Sequence, residues 1–300
     1  MEIVPFQGWK RCAKLTAGAT EIIVTLDVGP RVMSYSVDRG PNELYVNAKV
    51  AGSTGAEEFV SYGGHRLWVG PENWARTYQP DNGPVEHAQE GDVAVFKGPV
   101  DRWGIQKQIR IKAVVSAAKF ELEHRIVNTG AYEVELAPWC LSQMAPGGTC
   151  IFPHAPFVAH TEDFLPARPL VLWGYTKMTD DRWTWGDRVV RFRQDPSKGP
   201  QKVGAQVSQG YAAYANHGNL FLKRFPFERG AAYIDYGCNF ETFSNEDMLE
   251  VEALGPMRKV APGETAVLRE SWYLIPGVSV PQADSECADW LEKLARTRPL

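Results

Sequence analysis

Residues Lys119 to Leu141 read KFELEHRIVNTGAYEVELAPWCL. From Lys119 to Val127 apolar and polar side chains alternate, placing Phe120, Leu122, His124 and Ile126 on one face. Alternation of period two is the mark of a half-buried strand. Asn128-Thr129-Gly130 then turns the chain into a second extended run, Glu133 to Leu141. Working outward, the same texture recurs at Glu21 to Val28, Arg31 to Val37, Asp92 to Lys97 and Ile105 to Lys112. Beyond the quoted stretch it recurs at Pro169 to Trp173, Arg188 to Arg193, Gly210 to Tyr214, Asn219 to Phe225, Ala231 to Tyr236, Met248 to Ala253 and Thr265 to Leu274. Gly, Pro, Asn or Asp bound each run, as strand ends require. Only Asp284 to Arg298 shows a helical period, with Cys287, Trp290, Leu291 and Leu294 on one stripe behind a capping Asp284 or Ser285. No linker composition and no repeat of 20–50 residues interrupts the pattern. The expectation is an all-β chain, one domain over residues 1–300, built as two large stacked antiparallel sheets with a short C-terminal helix.

Composition narrows the function classes. The formal charge of −4 arises from 32 basic and 36 acidic residues without a long run of either sign, so a phosphate-tracking surface for nucleic acid is not expected. No stretch reaches the ~18 apolar residues of a membrane span. The start, MEIVPFQGWKRCAKL, lacks the apolar core of a secretory leader, so a cytoplasmic location is expected. Five widely spaced cysteines form no C-x-x-C pair and read as buried free thiols. Neither G-x-S-x-G, a Walker lysine loop nor a G-x-G-x-x-G run is present, so no nucleotide cofactor is expected. A metal set from His154, His160 and Glu162 matches no strong ligand spacing, and none is assigned.

Two segments concentrate chemistry. Tyr62 to Tyr78, YGGHRLWVGPENWARTY, reads as a loop carrying His65, Arg66, Glu72, Asn73, Trp74 and Arg76. Forked guanidinium donors, carboxylate acceptors and flat aromatic rings together suit a sugar, whose hydroxyls need partners and whose ring has an apolar face. A loop shaped by a buried Arg–Glu pair, with Trp68 and Trp74 as core, accounts for the same residues. In Met248 to Ala253, Leu249 and Val251 point one way while Glu250 and Glu252 point the other. Two carboxylates on one face repel unless a cation, solvent or ligand lies between them, and such a pair can yield a general base. A solvated sheet surface is the plainer alternative. Asp235, Asn239 and Glu241 share that face if their strand runs on through Gly237. Among the histidines, His124 reads as a satisfied sheet residue and His87 and His217 as solvated turns, which leaves His65 and His154 for acid–base work.

At these clusters the chain resembles the galactose mutarotase-like superfamily, the aldose 1-epimerases and their bacterial relatives. The residues that carry the likeness are Gly29-Pro30-Arg31 with Asn42 following, Gly64-His65-Arg66-Leu67-Trp68, and the strand ending at Asn128-Thr129-Gly130. Leu249-Glu250-Val251-Glu252 with Pro256, then Pro262-Gly263-Glu264 and Glu270-x-Trp272-x-Leu274, complete it. The resemblance implies a β-supersandwich, sugar binding through Arg66 and a general base on the strand of Glu252 or Glu250. It departs from the family where mutarotases carry a His-x-Tyr-Phe-Asn acid, because Leu136 to Gly148 contains no histidine. His154 or His65 would then be the acid. Arg66, Glu72, Asn73, Trp74, Lys223 and Asp235 would orient a mono- or oligosaccharide. The leading expectation is an aldose 1-epimerase-like enzyme that needs no cofactor. A non-catalytic carbohydrate-binding protein is the second. A lyase or hydrolase of acidic polysaccharide, using Arg66, Arg76 and Lys223 against a uronate, is the third.

Overall fold

The computed structural model describes residues 1–300. Eleven strands form one sheet and ten the other. Across the middle of the larger sheet run Arg31–Val37, His65–Gly70, Val134–Met144, Leu249–Leu254, Phe240–Ser244 and Gln201–Ala205, every neighbour antiparallel. The centre of the smaller sheet is Tyr211–Asn216, Asn219–Arg224, Thr265–Ile275, Lys119–Asn128 and Ile105–Val114. The expected all-β class and paired sheets are what the chain adopts.

The quoted stretch has a consequence that alternation alone does not convey. Lys119–Asn128 belongs to the smaller sheet and Val134–Met144 to the larger, so the turn between them hands the chain across the sandwich. Asn128 makes that corner. Its buried amide donates to the carbonyls of Tyr132 and Val260, both at 2.8 Å, and its Oδ1 accepts the Gly130 N–H at 2.9 Å. Unpaired backbone groups at a buried corner are costly, and one side chain satisfies three of them.

Alternate side chains of both sheets meet in one core of 45 buried residues that draws on strands from Ala13 to Leu274. Asp284–Arg296 is the C-terminal helix, and Cys287, Ala288, Leu291 and Ala295 bury against the outer face of the smaller sheet. Its first residue is not a cap as expected. Asp284 instead accepts the backbone N–H groups of Arg188 and Val189, pinning the helix start to a strand. All five cysteines are buried and free. No helix is long and apolar enough to cross a membrane.

One expected strand is absent. Ala231 to Tyr236 enters a left-handed turn, with Asp235 at φ 49° and Tyr236 at φ 59°. The face proposed for Asp235, Asn239 and Glu241 is therefore broken before Gly237. Asn239 locks to both backbone groups of Val207, and only Glu241 continues into the Phe240–Ser244 strand.

Candidate functional site

The Gly63-Gly64 pair sets the phase of everything that follows it. Both residues have positive φ, and a Cβ on either would run into the Tyr45 or Val32 carbonyl. The strand therefore starts at His65, with His65, Leu67 and Val69 facing the smaller sheet and Arg66 and Trp68 facing outward. The segment read as a loop is thus half strand, and the loop begins after Gly70.

Strand register assembles the outer face. Leu141 lies opposite both Arg66 and Glu252, and Glu252 lies opposite Glu241. One step along, Gln143 lies opposite Glu250, Glu250 opposite Phe243, and Phe243 opposite Lys202. Over these rows opens a cavity of about 370 Å³, a volume suited to a small ligand. Arg66, Trp68, Trp139, Gln143, Glu250 and Lys202 form its floor. Phe59, Ser61, Glu72, Tyr78, Trp173 and Tyr175 rise around it from connecting segments.

Electrostatics organise the floor. Glu241 and Glu252 face each other across adjacent strands with no solvent exposure, an arrangement that is destabilising without a cation. Lys202 supplies it, its Nζ lying 2.7 Å from Glu241 and 3.3 Å from Glu252. The same ammonium sits 4.8 Å from the ring centres of both Trp139 and Trp173. The two carboxylates hold the Lys202 ammonium well above its usual range, overriding the effect of burial. Burial pushes the Glu252 carboxyl up to about 7, against the opposing pull of Lys202. Glu252 also accepts the Trp139 indole N–H at 2.7 Å. At the other end, Glu250 accepts the Gln143 amide at 2.8 Å and lies 3.9 Å from Arg66. Arg66 stacks over Trp68, 4.3 Å from its ring centre.

A pH dependence follows from Glu252. A carboxyl whose folded pKa stands above its ordinary 4.5 binds its proton more tightly when folded. Its contribution to stability is full below about pH 4.5 and is lost as pH rises towards about 7. Glu252→Gln is expected to remove that decline. Urea melts of both proteins between pH 4.5 and 8 test it, and parallel stability curves for the two would refute it.

Several residues expected at the site lie elsewhere. Glu252 itself is sealed beneath Trp139 and Lys202 and does not line the cavity, whereas Glu250 does. His65 and Lys223 are core residues. His124 Nδ1–H donates to the Leu268 carbonyl at 3.2 Å, leaving its Nε2 to accept from His65 Nε2–H at 2.7 Å. His65 Nδ1 then accepts the Ser142 hydroxyl at 2.9 Å. Burial lowers both imidazole pKa values, so the relay is neutral. Lys223 belongs to the smaller sheet and reaches across the core to the Val251 carbonyl at 3.0 Å, pairing with Glu270 at 3.1 Å. His65, His124 and Glu270 offer ligand atoms within 4.8 Å of one another, but the imidazole lone pairs are already used and an ammonium neutralises the carboxylate. The donor set is spent on protein contacts.

His154 directly follows the Thr149–Pro153 strand of the smaller sheet and lines a separate cavity with Arg168, Tyr211 and Arg224. Asp235 occupies the left-handed turn already described, outside the cavity lining. Asn73 shapes the loop by accepting the Ala75 N–H. Trp74 is 82% exposed and stacks on Tyr78 from outside the cavity lining. Glu72 is held by the Tyr78 hydroxyl at the wall. Arg66, Glu72 and Glu250 are therefore brought together on one cavity, joined by the unforeseen Lys202, Trp139, Trp173 and Tyr175.

No protein-family model matches the sequence, and no curated protein matches it closely. Solved structures do match in shape. A galactose mutarotase-like protein from Lactobacillus casei aligns with a TM-score of 0.55 at 9% identity, covering 88% of this chain and 99% of that one. A galactose mutarotase related enzyme from Lactobacillus acidophilus aligns at 0.53 and 9% identity, covering 91% and 100%. A candidate aldose 1-epimerase from Escherichia coli K12 aligns at 0.52 and 11% identity, covering 88% and 98%. At such identities the likeness concerns the backbone.

Proposed function

We infer, for a chain with the galactose mutarotase-like fold, that the outer-face cavity binds a sugar and interconverts its anomers. The observation that carries this reading is a single aromatic-walled cavity floored by an accessible carboxylate, Glu250, and an ammonium, Lys202. Glu250 takes the proton of the anomeric hydroxyl, whose O–H pair becomes the carbonyl as the bond from the anomeric carbon to the ring oxygen breaks. Lys202 gives a proton to that oxygen. Rotation of the freed carbonyl and reversal of both transfers close the ring on its other face. Each proton transfer contributes typically ~10²–10⁴-fold. Glu241 and Glu252, fixed behind Lys202, keep it charged until it gives its proton, which returns from the ring hydroxyl on closure. Trp173 and Tyr175 add aromatic surface at the wall against which the ring can pack. Polarimetry on freshly dissolved α-anomers of several aldoses tests the reading, and the expected result is equilibration faster than in buffer. No acceleration for any of them would overturn it.

One observation favours the second reading, a binding protein without turnover: no histidine lines the cavity. That reading expects calorimetric binding of sugars with no change in their anomerisation rate.

A further inference from the structure

Trp74 stands 82% exposed against a wall of the outer-face cavity, and its surroundings hold it there. The Thr77 hydroxyl donates to the Val69 carbonyl at 2.9 Å and accepts the Asn73 N–H at 2.9 Å, tying the turn to the His65–Gly70 strand. Asn73 accepts the Ala75 N–H at 2.9 Å. The Ala75 carbonyl in turn accepts from the Trp103 indole at 2.9 Å and from the Gln79 amide. Single exposed apolar residues are common and need no account. A ring fixed on both flanks with its outer face open is a different case, because Trp then offers wide, flat contact at little entropic cost.

The exposed ring continues the cavity. Trp74 stacks on Tyr78 with 4.7 Å between ring centres and planes 26° apart. Tyr78 lines the cavity and makes edge contacts with Phe59 at 5.3 Å and Trp68 at 5.0 Å. Trp68 meets Trp139 at 5.3 Å in the same manner. Trp139, Trp68, Tyr78 and Trp74 thus climb from the buried floor to the surface. Glu72 stands at the same wall, where one oxygen takes the Tyr78 hydroxyl and the other is left for a ligand hydroxyl. Trp103, 48% exposed with Arg102 over its ring at 5.5 Å, adds a second flat surface next to Ala75. The cavity itself, at about 370 Å³, is small for a ligand site and has room for a single sugar, so Trp74 is placed for whatever follows that sugar. The net charge of −4 and the Glu72 carboxylate disfavour a nucleic acid on these rings.

We propose that the ligand is a reducing oligosaccharide, with its reducing-end ring in the cavity and the next ring stacked on Trp74. This rests on the sugar reading above and specifies its substrate class. The reducing end is the ring with a free anomeric hydroxyl, so it is the one that must reach Glu250. The second ring brings an apolar face to the indole and hydroxyls to Glu72.

Calorimetry on the wild-type protein compares D-glucose with cellobiose, maltose, laminaribiose and isomaltose, which add a second glucose through different linkages. D-Galactose is compared with β-1,4-galactobiose in the same way. The expected result is that at least one disaccharide binds ~10-fold tighter than its parent, the gain from covering one indole face. In Trp74→Ala that ratio is expected to collapse, and in Trp74→Phe, which keeps a flat ring, part of it is expected to return. Thermal melting checks that both variants fold. Disaccharides that bind no tighter than their parents overturn the proposal and leave sugar binding standing. A gain that survives Trp74→Ala overturns it as well. Sedimentation of the wild type and Trp74→Ala tests the other occupant. A wild-type dimer that the variant dissociates would give the ring to a second copy of the chain and overturn the proposal. Binding of no sugar at all overturns the sugar reading too.

Discussion

Glu250→Gln is expected to lower anomer interconversion by ~10²–10⁴-fold, the range of a lost general base, with some fall in melting temperature as buried Arg66 loses the carboxylate 3.9 Å away. The amide keeps the shape of the carboxylate and still accepts from Gln143, whose amide donates at 2.8 Å in the native floor. What it loses is the ability to take a proton. Exchange between anomers measured by nuclear magnetic resonance gives the rate, and calorimetry gives sugar affinity in the same samples. Rate loss with retained binding supports Glu250 as the base. A variant holding more than about a third of the wild-type rate would remove Glu250 from the mechanism. The comparison with Glu252→Gln is informative because Glu252 is sealed below the floor. That variant acts only through Lys202 and Trp139, so its effect on rate is expected to be the smaller of the two.

Lys223→Met is expected to be the most damaging single change to stability. Lys223 and Glu270 are both 0% exposed and 3.1 Å apart, and Lys223 also donates to the carbonyls of Cys140 and Val251 in the opposite sheet. Removing the ammonium leaves Glu270 in the core with only the Trp272 indole N–H, at 2.7 Å, as a hydrogen-bond donor. Breaking a buried pair on one side costs about 3–5 kcal/mol. The double variant Lys223→Met/Glu270→Gln removes the stranded charge, and most of the loss is expected to return. Urea melts of both variants and the wild type form the test. A single-variant cost below about 1 kcal/mol, the size of a surface pair, would mean that the core does not depend on this charge balance.

The sequence and the structure agree where one face of a strand is wet or lined with charge. Lys119 to Val127 could be phased because its apolar residues recur at every second position, and Glu250 and Glu252 were placed on a common face for the same reason. Lys202 escaped because all five residues of Gln201–Ala205 are buried, so period two leaves no polar–apolar contrast there. Lys223 was misplaced for a related reason. The Asn219–Arg224 strand is covered by the larger sheet on one side and by the C-terminal helix on the other, so its lysine gives no sign of which side it faces. His65 was lost by the Gly63-Gly64 pair, which reads as loop yet fixes the first residue of a strand. Glu250 lines the cavity and Glu252 does not because Lys202 and Trp139 lie over the latter, a tertiary fact that no local pattern contains.

The division of the cavity between a strand-built floor and segment-built walls also bears on how such a protein can change over time. Arg66, Lys202 and Glu250 are anchored by sheet register, and shifting any of them by one residue would turn it into the core. Phe59, Ser61, Glu72, Tyr78, Trp173 and Tyr175 hang on connections that bear no ladder. Connections tolerate insertion and exchange far better than strands do. Changes at the rim can therefore reshape the cavity while the floor that carries Arg66, Lys202 and Glu250 stays unaltered.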